Sequence, residues 1–131
     1  VGFDIRTIPI DSSKESVLVL KAYLQELDTL KREVTEDMKA YRMYLAAEKI
    51  YHYVWHTFAD KILEESKPIL ASSDGEQHWA IQSVLVEILT DSLKLLHPFM
   101  PFVTEEIWQS LPTKDTEFLM IAPWPEKDAV E

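Results

Sequence analysis

Apolar residues recur along this chain of 131 residues at intervals of three, four and seven, the spacing that places side chains on one face of an α-helix. The first stripe predicts a helix over 13–38, and its apolar positions are Val17, Leu20, Leu24, Leu27, Val34 and Met38. Ser12 and Glu15 have the spacing of a capping box, which predicts the start of this helix.

Three further helices are predicted, over 43–67, 77–97 and 103–111. The second stripe consists of Ala47, Tyr51, Val54, Phe58 and Ile62, and the third of Ile81, Val84, Leu85, Ile88, Ser92 and Leu95. Pro68 disfavours a helical conformation in the residue before it, so we expect the second helix to end at Lys67. Thr104 is expected to cap the fourth helix, with Glu105 and Glu106 in its first turn.

These elements predict an all-α fold, an antiparallel four-helix bundle with short extended N- and C-terminal segments. We divide the chain into an extended lead-in at 1–12, the bundle at 13–125 and a tail at 126–131. The expected core consists of Leu24, Leu27, Tyr51, Val54, Phe58, Val84, Leu85, Ile88, Leu95 and Trp108. Further aromatic residues are expected to be buried, namely Trp55 in the second helix and Phe99 and Phe102 in the HPFMPF turn.

Composition limits the chemistry that this chain can perform. Cys is absent, which excludes disulfides and thiolate metal sites. The two glycines, Gly2 and Gly75, are too few for a phosphate-binding loop, so we expect no cofactor in this chain. The apolar runs are too short to cross a membrane, and we expect a soluble cytoplasmic protein. No nucleophile motif appears, and we therefore predict no catalytic residue.

Charge is distributed unevenly. The net charge is −10, which argues against an indiscriminate nucleic-acid binder, yet residues 31–49 sum to +1. The basic residues of this segment are Lys31, Arg32, Lys39, Arg42 and Lys49. A solvated helix face of mixed charge is the ordinary explanation of such a segment, and charge alone does not decide between that and a phosphate-binding surface.

Four possible metal ligands follow one another at intervals of four residues: His52, His56, Asp60 and Glu64. Two histidines four residues apart on a helix can chelate zinc. The motifs of diiron bundles and zincins are absent, however, and such spacing is common in amphipathic helices. We therefore expect no metal site and interpret the series as a polar face in which His56 hydrogen-bonds to Asp60.

Three segments carry a resemblance to a known family. They are LKLLHPFMPFVTEEIWQSLP (Leu93–Pro112), KAYRMYLAAEKIYHYVWHTFADKILEESKPIL (Lys39–Leu70) and LMIAPWP (Leu119–Pro125). In order and spacing they resemble the anticodon-binding helical domain of class I aminoacyl-tRNA synthetases of the valine, leucine and isoleucine group. The valine-specific members are the nearest match.

The resemblance implies a domain that binds the anticodon stem-loop of tRNA, with no DNA or membrane partner. The catalytic His-x-Gly-His and Lys-Met-Ser-Lys-Ser motifs of that family are absent here. ATP, magnesium and aminoacylation are therefore expected to belong to an upstream catalytic domain of the same polypeptide. Stacking and phosphate contacts are expected from Lys31, Arg32, Lys39, Tyr41, Arg42, Tyr44 and Lys49. A helical bundle that binds other proteins through exposed apolar surface remains the alternative.

Overall fold

The computed structural model describes residues 15–71, 75–112 and 114–125, and most of these residues are helical. The elements are α1 (Glu15–Lys39), α2 (Met43–His52), a π-helical segment (Tyr53–Ile62), α3 (Leu63–Leu70), α4 (Gly75–Leu96), α5 (Pro101–Gln109) and a 3-10 helix (Leu119–Ile121). Helical φ and ψ angles at both junctions make α2, the π-helical segment and α3 one continuous helix. The predicted all-α fold is confirmed.

Side-chain contacts define the directions of the helices. The Tyr23 hydroxyl of α1 donates to Glu65 of α3 at 2.6 Å, whereas the end of α1 meets α2. The helix formed by α2, the π-helical segment and α3 is therefore antiparallel to α1. Only four residues separate α3 from α4, and the two helices are in contact, so α4 turns back along α3 and runs in the same direction as α1. The ion pair of Lys31 in α1 with Asp91 in the second half of α4 agrees with this arrangement. The four-helix bundle consists of three long helices and the short α5.

The core confirms most of the predicted apolar positions. The side chains that are almost fully buried are Leu24, Leu27, Val84, Ile88, Leu95 and Trp108. Val54, Phe58 and Leu85 are half-buried and pack against the main core between α1, α2 and α4. Trp108 forms a second, smaller core with Leu93 and Leu119, which attaches α5 and the closing segment to α4.

The second helix departs from prediction in its exposed aromatic residues. Tyr51 and Trp55 are exposed, because the buried positions of this helix are Ala46, Ile50, Tyr53 and Ile62. The buried face thus begins one position before the predicted stripe. Its spacing then changes in the π-helical segment, where i→i+5 hydrogen bonds give a wider turn than the α-helix that the sequence pattern assumes.

The expected end of the second helix at Lys67 is also wrong. Pro68 lies inside α3, which continues to Leu70. Ile69 and Leu70 are half-buried against the main core, and the Ala71 amide donates to the Lys67 carbonyl at 3.0 Å. Apolar contact of the last turn therefore outweighs the local preference of the residue before a proline.

The two prolines of the HPFMPF turn act as the sequence indicates. Helix α4 ends at Leu96, just before Pro98, and Pro101 occupies the first turn of α5, where a missing amide donor costs nothing. Phe99 packs against the main core, as expected. Phe102 is instead exposed, because a helix that begins at Pro101 turns this position outward.

The predicted capping by Thr104 is wrong for the same reason. The Thr104 side chain is buried within α5, and its hydroxyl donates to the Met100 carbonyl at 2.8 Å. His97 Nδ1 lies 2.9 Å from Thr104 Oγ1. Glu105 and Glu106 accordingly lie beyond the first turn of α5.

Polar contacts fix the segment that follows α5. Glu105 accepts the amides of Leu119 at 2.9 Å and Met120 at 3.2 Å, and the Leu119 amide is the main cause that lowers the pKa of this carboxyl. The Trp124 indole donates to Thr35 Oγ1 of α1 at 2.8 Å. The lead-in at 1–12, with Ser12, and the tail at 126–131 lie outside the described residues. No helix in the described part of the chain is long and apolar enough to span a membrane.

Ile88 provides a test of the core. The substitution Ile88→Ala removes a fully buried side chain of α4 and should lower the free energy of unfolding by about 2–5 kcal/mol. Urea denaturation followed by circular dichroism measures this loss. Val86→Ala, on the exposed face of the same helix, is the matched control. A loss below about 0.5 kcal/mol for Ile88→Ala would contradict the core assignment.

Candidate nucleic-acid interface

The turn between α1 and α2 is closed by two nested backbone hydrogen bonds. The Tyr41 amide donates to the Met38 carbonyl at 3.1 Å, and the Arg42 amide donates to the Asp37 carbonyl at 2.8 Å. This pattern is a Schellman motif, in which the residue after the helix cap adopts a left-handed conformation and is usually glycine. Here that residue is Tyr41, with a φ of 61°.

The conformation of Tyr41 is costly and nothing in its packing compensates for it. A left-handed conformation costs a non-glycine residue roughly 1–2 kcal/mol. The Tyr41 side chain is 85% exposed, so burial of the ring contributes little in return. Backbone strain of this kind is concentrated at functional positions in proteins, and here it directs an aromatic ring away from the bundle.

Asp37 connects the end of α1 to α2. The residue is only 2% exposed, and its carboxylate accepts Arg42 Nε at 3.1 Å and Lys49 Nζ at 2.7 Å. The hydrogen bond from Lys49, followed by that from Arg42, holds the pKa of Asp37 below its ordinary range. One carboxylate thus fixes the positions of two cationic side chains whose outer parts reach solvent.

Most of the predicted site residues lie on this part of the surface. Lys39, Tyr41, Arg42 and Tyr44 are exposed at the end of α1 and the beginning of α2, and Lys49 is held beside them through Asp37. Arg32 is exposed two helical turns before Lys39 on α1.

Lys31 requires a correction. Its side chain is buried, forms an ion pair with Asp91 of α4, and lies 3.7 Å from Asp28. It therefore contributes to the interior of the bundle and does not belong to the exposed surface around Tyr41. The net charge of residues 31–49 follows from the sequence, but the ion-pair partner of each charged residue is known only from the folded structure.

The metal-binding alternative has no support in the geometry. Among the described residues, no group of three or more His, Cys, Asp or Glu side chains is placed to hold a metal ion. His56 and Asp60 are exposed, and their nearest N and O atoms are 3.8 Å apart, too far for the hydrogen bond that we expected. The wider turn of the π-helical segment changes the spacing on which that expectation relied.

Two features of this region were missed at the sequence level. The first is Asp37, whose position in the last turn of a helix is electrostatically unfavourable and could have indicated a basic partner. The second is a stacked pair formed by Tyr51 and Trp55, whose ring centroids are 5.0 Å apart at an interplanar angle of 21°. The pair was hidden because both residues fit the apolar pattern of a buried helix face.

Comparison with known proteins relates most of this chain to a single protein family. A family model described as the anticodon-binding domain of tRNA ligase matches residues 21–131. A valine–tRNA ligase of Thermotoga maritima is 42% identical over 123 residues, which is 94% of this chain and 13% of that protein.

Similar values are found for other valine–tRNA ligases. That of Petrotoga mobilis is 40% identical over 107 residues, 81% of this chain and 12% of the relative. That of Staphylococcus aureus is 37% identical over 126 residues, 96% of this chain and 14% of the relative. The chain thus spans only a small part, 12–14%, of the length of these relatives.

The strain at Tyr41 can be measured. Tyr41→Gly should raise the free energy of unfolding by about 0.5–1 kcal/mol, because relief of the left-handed strain exceeds the extra backbone entropy that glycine loses on folding. Tyr41→Ala is the matched control, since alanine removes the ring and keeps the strain. Equal stabilities of the two variants in urea denaturation would show that the turn is not strained.

The Asp37 contacts predict a pH dependence. The pKa of this carboxyl is lower in the folded than in the unfolded chain, so its contribution is fully present above the unfolded value of about 3.9. This contribution is lost as the pH falls through the lower folded value. Asp37→Asn should therefore be less stable than the wild type at pH 7, and the difference should shrink in acid. Urea denaturation at a series of pH values measures it, and a constant difference would contradict the assignment.

Proposed function

Because this chain belongs to the family of anticodon-binding domains of tRNA ligases, we propose that it binds the anticodon stem-loop of a tRNA. The observation that carries this proposal is Tyr41, a ring held in solvent by a strained backbone beside the cationic Arg42. Unpaired loop bases are recognised by stacking on aromatic or arginine side chains, while basic groups contact the backbone phosphates.

Each part of the surface has a distinct task in this proposal. Tyr41 and Tyr44 supply exposed rings for stacking, and Lys39 and Arg32 supply positive charge. Arg42 uses Nε and one terminal nitrogen on Asp37, which leaves the rest of a half-exposed guanidinium for a phosphate or a base. The same Asp37 contact holds that group in place before RNA arrives, so less side-chain entropy is lost on binding.

The relatives support a more specific proposal. Since they are valine–tRNA ligases and much longer than this chain, we infer that the bundle serves a valine-specific ligase whose catalytic domain belongs to the same polypeptide. Binding the anticodon there would align the distant acceptor end of the tRNA with the catalytic site. We place this ligase in the cytoplasm.

ATP and magnesium belong to the catalytic domain in this proposal. Gly75 is the one glycine among the described residues, so the glycine-rich backbone that cradles phosphates has no counterpart in this part of the bundle. The bundle contributes position and affinity for RNA, and the chemical steps take place elsewhere.

Tyr41 and Arg42 test the proposal in the ligase that contains this bundle. Loss of one stacking ring typically costs about 1–3 kcal/mol, so Tyr41→Ala should raise the Michaelis constant for tRNA about five- to 150-fold. Arg42→Ala should weaken tRNA binding and reduce the slope of log affinity against log salt by about one. Activation of the amino acid should not change, because that half-reaction does not use tRNA.

Lys67→Ala is the control for this experiment. Lys67 is exposed and ion-paired with Glu64, as Arg42 is with Asp37, but it lies in α3, far along the chain from the turn. Normal aminoacylation by both the Tyr41 and the Arg42 variants would mean that the RNA-contacting surface lies elsewhere.

A further inference from the structure

Exposed aromatic residues continue along the second helix beyond the turn. Tyr44 and Tyr51 are seven residues apart, so they share one helix face two turns from each other, and Trp55 follows one turn later. All three side chains are exposed. Phe102 and Trp79 are also exposed but lie singly on other helices, whereas these three rings follow one face and together present flat apolar surface to a ligand.

The last two of these exposed aromatic residues, Tyr51 and Trp55, lie on either side of the change from α-helix to π-helix. Tyr51 lies in the last turn of α2 and Trp55 in the π-helical segment, and their rings stack at 5.0 Å. His56 meets the Tyr51 ring edge-on at 6.0 Å. Helical segments of the π type are rare and are often found at functional sites. Here Tyr51 and Trp55 form a stacked pair of rings that is partly exposed to solvent.

We propose that the Tyr51–Trp55 pair is a second stacking platform for unpaired bases of the same RNA. This inference rests on the proposed function and extends it from the turn along α2. The axial distance from Tyr44 to Tyr51 is about 10.5 Å, which corresponds to roughly three stacked nucleotides at about 3.4 Å each. A loop of several unpaired bases could therefore contact Tyr41, Tyr44 and the pair at the same time.

The charges around the pair determine how it binds RNA. Glu48 and Asp60 are exposed on the same helix, and their carboxylates repel phosphate groups. Of the cationic groups, Arg42 and Lys49 lie toward the turn, and Lys61 is exposed at the far end of the π-helical segment. With carboxylates on both sides of the pair, we expect contact there to be made mainly through base rings. Binding through the pair should consequently depend little on salt, unlike binding through Arg42.

Trp55 and Trp79 form a matched pair for the experiment, because both side chains are 43% exposed and they lie on different helices. The probe is an RNA hairpin with the anticodon stem-loop of a valine tRNA, titrated with this chain and followed by fluorescence anisotropy. Trp55→Ala should weaken binding about five- to 150-fold without changing the salt slope. Trp79→Ala should leave affinity within about twofold, and Trp55→Phe should retain most of it because a ring remains.

Each outcome decides the inference. Full affinity in Trp55→Ala, together with weakened binding in Tyr41→Ala, would overturn the second platform and leave the proposed function intact. Equal losses in the Trp55 and Trp79 variants would also overturn it, since the effect would not be local. Absence of hairpin binding by the wild-type chain would overturn both. Circular dichroism of Trp55→Ala and Trp79→Ala checks that the comparison is made between folded proteins.

Discussion

The candidate surface depends on the burial of one charged group, the carboxylate of Asp37. A carboxylate that is almost excluded from solvent is tolerated only with partners, and Arg42 and Lys49 both supply them. The carbonyl of the same residue accepts the Arg42 amide and closes the turn. Side chain and main chain of Asp37 thus fix both the start of α2 and the backbone that carries Tyr41 outward.

Similar polar contacts hold the other helices to α1. Tyr23 is bound to Glu65 of α3, Lys31 to Asp91 of α4, and Thr35 to the closing segment through Trp124. Apolar packing is tolerant of small shifts along a helix, whereas a hydrogen bond is lost within about 1 Å. These contacts therefore set the register of the bundle, while the buried aliphatic side chains supply most of its stability.

The sequence predicted the helices and the main core well, because both follow from a period of 3.6 residues that the chain keeps over α1 and α4. Prediction failed at Tyr51, where the buried face of α2 lies one position earlier than the predicted stripe, at Trp55, where the helical period changes, and at Phe102, where α5 begins earlier than expected. Tyr41 and Arg42 are exposed beside the start of α2, as expected, while their role in binding RNA stays a prediction. The burial of Lys31 was not predicted, since its partner Asp91 is sixty residues away in the chain and only the folded bundle brings them together.

The ion pairs of the basic residues explain how an acidic chain is compatible with the proposed affinity for RNA. Lys31 is neutralised in the interior by Asp91, and Arg42 and Lys49 share Asp37, so these ion pairs reduce the positive charge that the basic segment presents at the surface. A domain of this kind cannot bind RNA tightly through phosphates alone. In the proposed function, discrimination comes from the exposed rings, which stack on bases that have left the helical stack and do not recognise the regular backbone of a duplex. Weak charge thus favours an unpaired loop over the helical stem that carries it.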